Sequence, residues 1–153
     1  MIIRPARVDE AEELTRLARQ AKAAWGYPDA WLQEWAPRLS FSAAYLAVHA
    51  VFVAASEGEP IGVIALEDED EPEIAHLWVQ PARHGAGVGR ALVRRAMEYA
   101  RQRGWASLRV ETDPHAQAFY ERMGAVRVGT VPAPVAGLDR QLPVLRLPVA
   151  QPE

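Results

Sequence analysis

Seven strand-like and four helix-like segments, in the order β-α-α-β-β-β-α-β-α-β-β, predict a chain of the α/β class. Three features of the sequence carry that expectation. Short runs rich in Val, Ile, Leu and Ala alternate with stretches whose apolar residues recur every three or four positions. Glycine and proline punctuate nearly every junction between them. In mid-chain, a loop with three glycines, Arg83-His84-Gly85-Ala86-Gly87-Val88-Gly89-Arg90, joins an apolar segment to a helix start.

Each element has its own local signal. Ile2-Ile3-Arg4-Pro5-Ala6 reads as a first strand, and Asp9-Glu10-Ala11-Glu12 as a helix start with Asp9 at the N-cap and Glu12 closing a capping box. Leu14, Leu17, Ala18, Ala21 and Trp25 continue at helical spacing until Gly26-Tyr27-Pro28 breaks the run. Asp29 is expected to cap a second helix through Trp31, Leu32 and Trp35, which Pro37 interrupts. Residues 51–55 and 61–66 read as strands around a Glu57-Gly58-Glu59-Pro60 hairpin turn, and 74–79 as the next strand. Leu92, Val93, Ala96, Tyr99 and Ala100 mark the buried face of a helix ended by Gly104. A strand over 108–111 precedes Asp113 and Pro114, which suit the N-cap and first turn of a helix bearing Ala116, Phe119, Tyr120 and Met123. Residues 125–131 and 141–147 complete the order as a terminal strand pair.

Composition bounds the function. The 153 residues, half of them hydrophobic, suit one domain over 1–153 that buries roughly two-thirds of its unfolded surface. The absence of cysteine removes disulfides and any thiol nucleophile, and suits a reducing cytosol. Met1-Ile2-Ile3-Arg4-Pro5 is too short for a signal h-region and no apolar stretch approaches a membrane span, so the expected location is cytoplasmic, with no membrane partner. A net charge of −3 gives no electrostatic drive toward nucleic acid. Four dispersed histidines without ligand spacing predict no metal site.

The glycine loop predicts an anion site. Gly85, Gly87 and Gly89 let the backbone approach a ligand, and the free N–H groups of the first helical turn point toward it. Neither common nucleotide signature fits: the loop contains no Gly-Lys-Ser/Thr, and the dinucleotide pattern lacks its third glycine. The run resembles motif A of the GCN5-related N-acetyltransferases, Gln/Arg-x-x-Gly-x-Gly/Ala, which binds the pyrophosphate of acetyl-CoA. One departure stands out, since His84 occupies the Gln/Arg position with Arg83 before it. Asp113-Pro114-His115-Ala116-Gln117-Ala118-Phe119-Tyr120-Glu121-Arg122-Met123-Gly124-Ala125 is similar to the family's motif B, with Asp113 for Asn and Ala125 for Phe.

The element order is also that of this family, so the resemblance covers nearly the whole chain. It implies a mixed, mostly antiparallel central sheet of about seven strands with four helices. Acetyl-CoA is implied as cosubstrate, with contacts from Leu77, Trp78, Val79, Arg83, His84, Gly85, Ala86, Gly87, Val88, Gly89, Arg90, Asp113, Phe119 and Tyr120. Leu77 and Val79 act through their backbones, because family members bind the pantetheine arm to this strand like an added strand. The implied reaction is attack of a primary amine, on a small molecule or a peptide, on the thioester. Such chemistry needs a base for the ammonium, a stabilised oxyanion and an acid for the thiolate.

Tyr120 sits at the family position of that acid, and a phenol is protonated at neutral pH. The base has several candidates. Counting back from the glycines places Glu73 where the histone-acetylating branch carries its glutamate. His76 is chemically suited through its ordinary pKa of about 6.5, Glu111 lies on the next strand, and water is the remaining alternative. Strand periodicity puts Glu73, Ala75, Leu77 and Val79 on one face and Ile74, His76 and Trp78 on the other. The stretch 24–45, with Trp25, Tyr27, Trp31, Trp35 and Phe41, lies where relatives shape the acceptor pocket, and its rings suit an aromatic or cationic amine. The acidic run 67–73 is a solvated connection or a means of attracting polyamines, aminoglycosides or basic peptides. His49 and His115 read as surface or structural. A different acyl group, a hydroxyl acceptor, a non-catalytic CoA-binding module and a homodimer through the terminal strands are the alternatives that the sequence leaves open.

Overall fold

The computed structural model describes residues 1–150. Its strands are β1 (Ile2–Pro5), β2 (Ala50–Ser56), β3 (Glu59–Glu67), β4 (Glu73–Val79), β5 (Ser107–Glu111), β6 (Val126–Pro132) and β7 (Gln141–Pro148), and its helices α1 (Ala11–Ala23), α2 (Asp29–Trp35), α3 (Ala43–Val48), α4 (Val88–Gln102) and α5 (Gln117–Arg122). The strands form one sheet in the order β1-β2-β3-β4-β5-β7-β6. Every neighbouring pair is antiparallel except β4 and β5.

Both faces of the sheet are covered, so its central strands are apolar throughout. On one face Ile64, Leu66, Ile74, Leu108 and Leu145 pack with Leu92, Val93 and Ala96 of α4 and Tyr120 of α5. On the other, Val51, Val53, Val63 and Ala65 pack with Leu14 and Leu17 of α1, Trp35 of α2 and Leu46 of α3. Gly62 fixes how closely α4 sits, since a Cβ there would meet Val88 at 2.8 Å and Leu92 at 2.9 Å.

Several local expectations are corrected. Five α-helices form rather than four, the added one being α3, capped by the Ser42 hydroxyl accepting from the Tyr45 N–H at 3.0 Å. A 3₁₀ turn over Val8–Glu10 delays α1 to Ala11. Glu10, rather than Glu12, reaches back to the chain: its carboxylate accepts the Arg7 N–H at 2.8 Å and is gripped by both terminal nitrogens of Arg4 at 2.8 and 2.9 Å. Asp29 is the first residue of α2, and Pro28 takes the N-cap.

Two irregularities in β4 decide which of its side chains meet and leave part of its edge free. Ala65 pairs with His76 and Leu66 with Ile74, so Ala75 is an extra residue on β4. This bulge resets the alternation. Ile74 therefore joins Leu77 and Val79 on the α4 face, while Glu73 lines the same cavity as His76 and Trp78, which corrects the simple two-residue period. Secondly, β4 and β5 pair at a single position, Glu73 opposite Arg109, secured by the Arg109 N–H to the Pro72 carbonyl at 2.9 Å. Beyond it the strands part, and the edge of β4 faces a gap.

Candidate active site

Two cavities open at this gap, one on either side of Trp78, which lines both. The first, of about 410 Å³, runs from Leu77, Trp78 and Val79 to the glycine loop and α5. Gly87 is the N-cap of α4 with φ at +83°, and no side chain caps the helix. The first-turn N–H groups thus keep their hydrogen-bonding capacity for an anion, and Arg83, Arg90 and Arg122 add positive charge around them. Gly85 is also left-handed, at +81°. Gly89 has a second role beside its place in the loop, because a Cβ there would stand 3.3 Å from the Phe119 ring. It brings α4 against α5.

Of the expected cofactor contacts, Leu77, Trp78, Val79, Arg83, His84, Gly85, Gly87, Val88, Gly89, Arg90, Phe119 and Tyr120 line this cavity. Ala86 lies in the exposed loop just outside the lining, and Asp113 faces the other cavity. Trp25 and His115 are additions, stacked on each other with centroids 5.2 Å apart. Tyr120 is 4% exposed, and burial holds its hydroxyl above the ordinary phenol range, so it stays protonated.

The second cavity, of about 350 Å³, is lined by Glu73, His76 and Trp78 from β4, by Lys22 from α1, and by Glu111, Asp113 and Arg140. Glu73 stands directly opposite Glu67 on β3. Burial, then the charges of Glu67 and Glu111, raise its carboxyl above the ordinary range, as suits a base with a usable affinity for protons. His76 differs. Its Nδ1 accepts the Trp78 indole N–H at 3.1 Å, and burial lowers its pKa to about 4. A neutral imidazole has one lone pair, and here the indole occupies it, so His76 orients Trp78 between the cavities. Glu111 is held by Arg109, whose Nη2 lies 3.2 Å away.

Asp113 is the hub of the deeper wall. Its Oδ2 accepts from Lys22 at 2.6 Å and Tyr27 at 2.8 Å, and its Oδ1 from the backbone N–H and ring Nδ1 of His115, at 2.9 and 2.8 Å. Burial pushes its carboxyl upward, but the hydrogen bond and charge of Lys22, with the bonds from His115, bring it down to about 2. Burial lowers the Lys22 ammonium, opposed by Asp113 and reinforced by Arg140. Four rings, Trp25, Tyr27, Trp35 and Trp78, surround Lys22 Nζ at 4.4 to 5.9 Å. Of the aromatic residues of 24–45 that suited a cationic amine, Trp25, Tyr27 and Trp35 pack around an internal cation.

Comparison with known proteins bears on family and fold. The model of the acetyltransferase (GNAT) family matches residues 11–125. An uncharacterised N-acetyltransferase of Methanocaldococcus jannaschii is 32% identical over 87 residues, 48% of this chain and 37% of that protein. The mouse probable N-acetyltransferase family 8 member 5 is 34% identical over 96 residues, 56% of this chain and 42% of that protein. The chain thus matches less than half the length of these relatives. Among solved structures, a GCN5-related N-acetyltransferase from Rhodopseudomonas palustris superposes with a TM-score of 0.80 at 22% identity, covering 96% of this chain and 94% of that one. A putative acetyltransferase from Salmonella typhimurium with its cofactor acetyl-CoA gives 0.71 at 20% identity, covering 100% and 96%.

Proposed function

Because the chain belongs to the acetyltransferase (GNAT) family, we propose that it transfers the acetyl group of acetyl-CoA to a primary amine by direct attack in a ternary complex. The parting of β4 from β5 beside an uncapped helix start, with Tyr120 in one cavity and Glu73 in the other, carries this reading. Acetyl-CoA supplies the activated thioester. Gly87 and the first turn of α4 receive its pyrophosphate, and the free edge of β4 accepts the pantetheine arm as an added strand.

Glu73 takes the proton that an ammonium must lose before its nitrogen can attack. A lysine-like amine costs about 4 to 5 kcal/mol to neutralise at pH 7, from 1.36 kcal/mol per unit, so a nearby base is worth having. A β4 backbone N–H faces the carbonyl oxygen as charge develops there. As the carbon–sulfur bond breaks and the carbon–nitrogen bond forms, Tyr120 gives its proton to the departing thiolate. His76 holds Trp78 in place, so that the two substrates meet along one route.

Calorimetric titration with acetyl-CoA and with CoA tests the cofactor half, with micromolar binding expected of both. Thiol release with an amine panel tests the transfer. Tyr120→Phe is expected to lower kcat tenfold or more with acetyl-CoA affinity within threefold of the parent. An unaltered kcat would remove Tyr120 from the mechanism.

A further inference from the structure

The second cavity has a charge distribution that acetyl transfer by itself does not require. Three cations line it, Lys22, Arg38 and Arg140, with Glu73, Glu111 and Asp113 as the acids. Glu111 is engaged by Arg109 at 3.2 Å. Asp113 alone answers both Lys22, at 2.6 Å, and Arg140, at 3.5 Å, whose side chains are only 10% and 14% exposed. Arg38, exposed at the rim, has no ion-pair partner among the described residues.

Arg140 is also fixed in orientation. Its guanidinium packs over the rings of Trp35 at 5.0 Å and Tyr27 at 5.5 Å, and one terminal nitrogen donates to the Tyr27 hydroxyl at 3.0 Å. A guanidinium has five N–H donors on three nitrogens, and only this nitrogen is engaged among the described residues. A half-buried, rigid fork with donors to spare matches a carboxylate.

The opposite end of the cavity carries the other sign. Glu73 faces Glu67 across the β3–β4 pair, and no cation within salt-bridge distance of Glu73 is found among the described residues. Glu73 is level with Arg109, and Asp113 lies four residues farther along the chain, so the two ends are about 13 Å apart at about 3.3 Å per residue. A plain alkylamine would satisfy only the acidic end and leave the excess positive charge buried. A diamine would set its second ammonium against that charge.

Resting on the reading of this cavity as the acceptor site, we propose that the acceptor is a primary amine that also carries a carboxylate several bonds away. Its amine lies toward Glu73 and its carboxylate between Arg140 and Arg38. Short peptides and ω-amino acids are the chemical class that fits.

The test uses the full chain with saturating acetyl-CoA and thiol release as readout. Three acceptors of matched length are compared: 6-aminohexanoate, hexylamine and 1,6-diaminohexane. The amino acid is expected to have the highest kcat/KM, by tenfold or more. Arg140→Gln should reduce its advantage over hexylamine at least fivefold, chiefly through KM, and Arg38→Gln, at an exposed position, should do the same to a smaller degree. Equal or better turnover of the diamine would overturn the proposal, as would an Arg38→Gln and Arg140→Gln pair that left the ratio intact. Should none of the three release thiol, stabilisation of the CoA-bound protein against heat decides the matter: a shift with 6-aminohexanoate alone supports the proposal and no shift with it refutes it. Failure of the transferase reading itself would show separately, as absence of acetyl-CoA binding by calorimetry.

Discussion

Around the glycine loop, the cavity is walled mainly by two stretches of chain, 77–90 and 115–122, and much of what it offers is backbone. Across Trp78, the neighbouring cavity draws Lys22 from α1, Arg38 from the turn after α2, Glu73 and His76 from β4, Asp113 from the loop after β5 and Arg140 from the loop before β7. What it offers is side chain. The two differ accordingly in how they tolerate change. A backbone anion site depends on φ angles and close approach, whereas a charged side-chain site depends on each group having its partner.

The largest effect is expected where that partnership is broken. Asp113→Ala would leave Lys22 buried among four rings, beside Arg140, without its carboxylate. Removing one partner of a buried pair costs about 3 to 5 kcal/mol, so chemical denaturation should show a loss of that order. The pH dependence isolates the contribution of charge. Asp113 stands at about 2 in the folded chain against an ordinary 3.8, so its stabilisation is present above about pH 4 and is lost as pH falls from about 4 toward 2. The stability gap between parent and Asp113→Ala should therefore narrow over that interval, and a gap constant down to pH 2 would show that charge is not its source.

Gly87→Val probes the other cavity in kind. With φ at +83° and nothing within 4 Å of an added Cβ, the substitution meets backbone strain and intrudes on the anion's approach rather than on the core. Acetyl-CoA affinity should fall a hundredfold or more by calorimetry, and micromolar binding by the variant would remove the loop from the cofactor site. Glu73→Gln comes next, with kcat/KM for the amine lower by about tenfold at neutral pH. Since only the ionised carboxylate accepts a proton, the parent's activity should fall as pH drops through a carboxyl raised by burial and by Glu67 and Glu111. That acidic limb should flatten in Glu73→Gln. An unchanged limb would return the base to water.

The same contrast explains what the sequence made legible. The glycine loop, the β2–β3 hairpin and the two long helices rest on local signals, and each lies close to where those signals put it. Helix α3 has six residues, too few for a period to emerge beside the aromatic residues around it. The bulge at Ala75 has no local signal, yet it decides that Glu73 shares the cavity of Trp78. Lys22 and Asp113 are 91 residues apart, and neither position advertises the other. His115 is exposed, in keeping with its reading as surface or structural, yet nothing nearby in the chain reveals that Asp113 holds its ring against Trp25. Local patterning therefore reached the glycine loop that borders one cavity, and only the fold could assemble the other.

The smallest expected effect is the most direct check on that distinction. His84 occupies the position where the family pattern has Gln or Arg, and it lies exposed at the end of the 3₁₀ turn Pro81–Arg83, with its own N–H donating to the Pro81 carbonyl at 3.3 Å. If the anion is bound chiefly by the first turn of α4 with Arg83, Arg90 and Arg122 around it, a change of this one side chain alters little. His84→Gln should then shift acetyl-CoA affinity by no more than about threefold, equivalent to less than about 0.7 kcal/mol. A gain or loss of tenfold or more would mean that a side chain, rather than the helix start, dominates pyrophosphate binding, and that the two cavities are built more alike than their walls suggest.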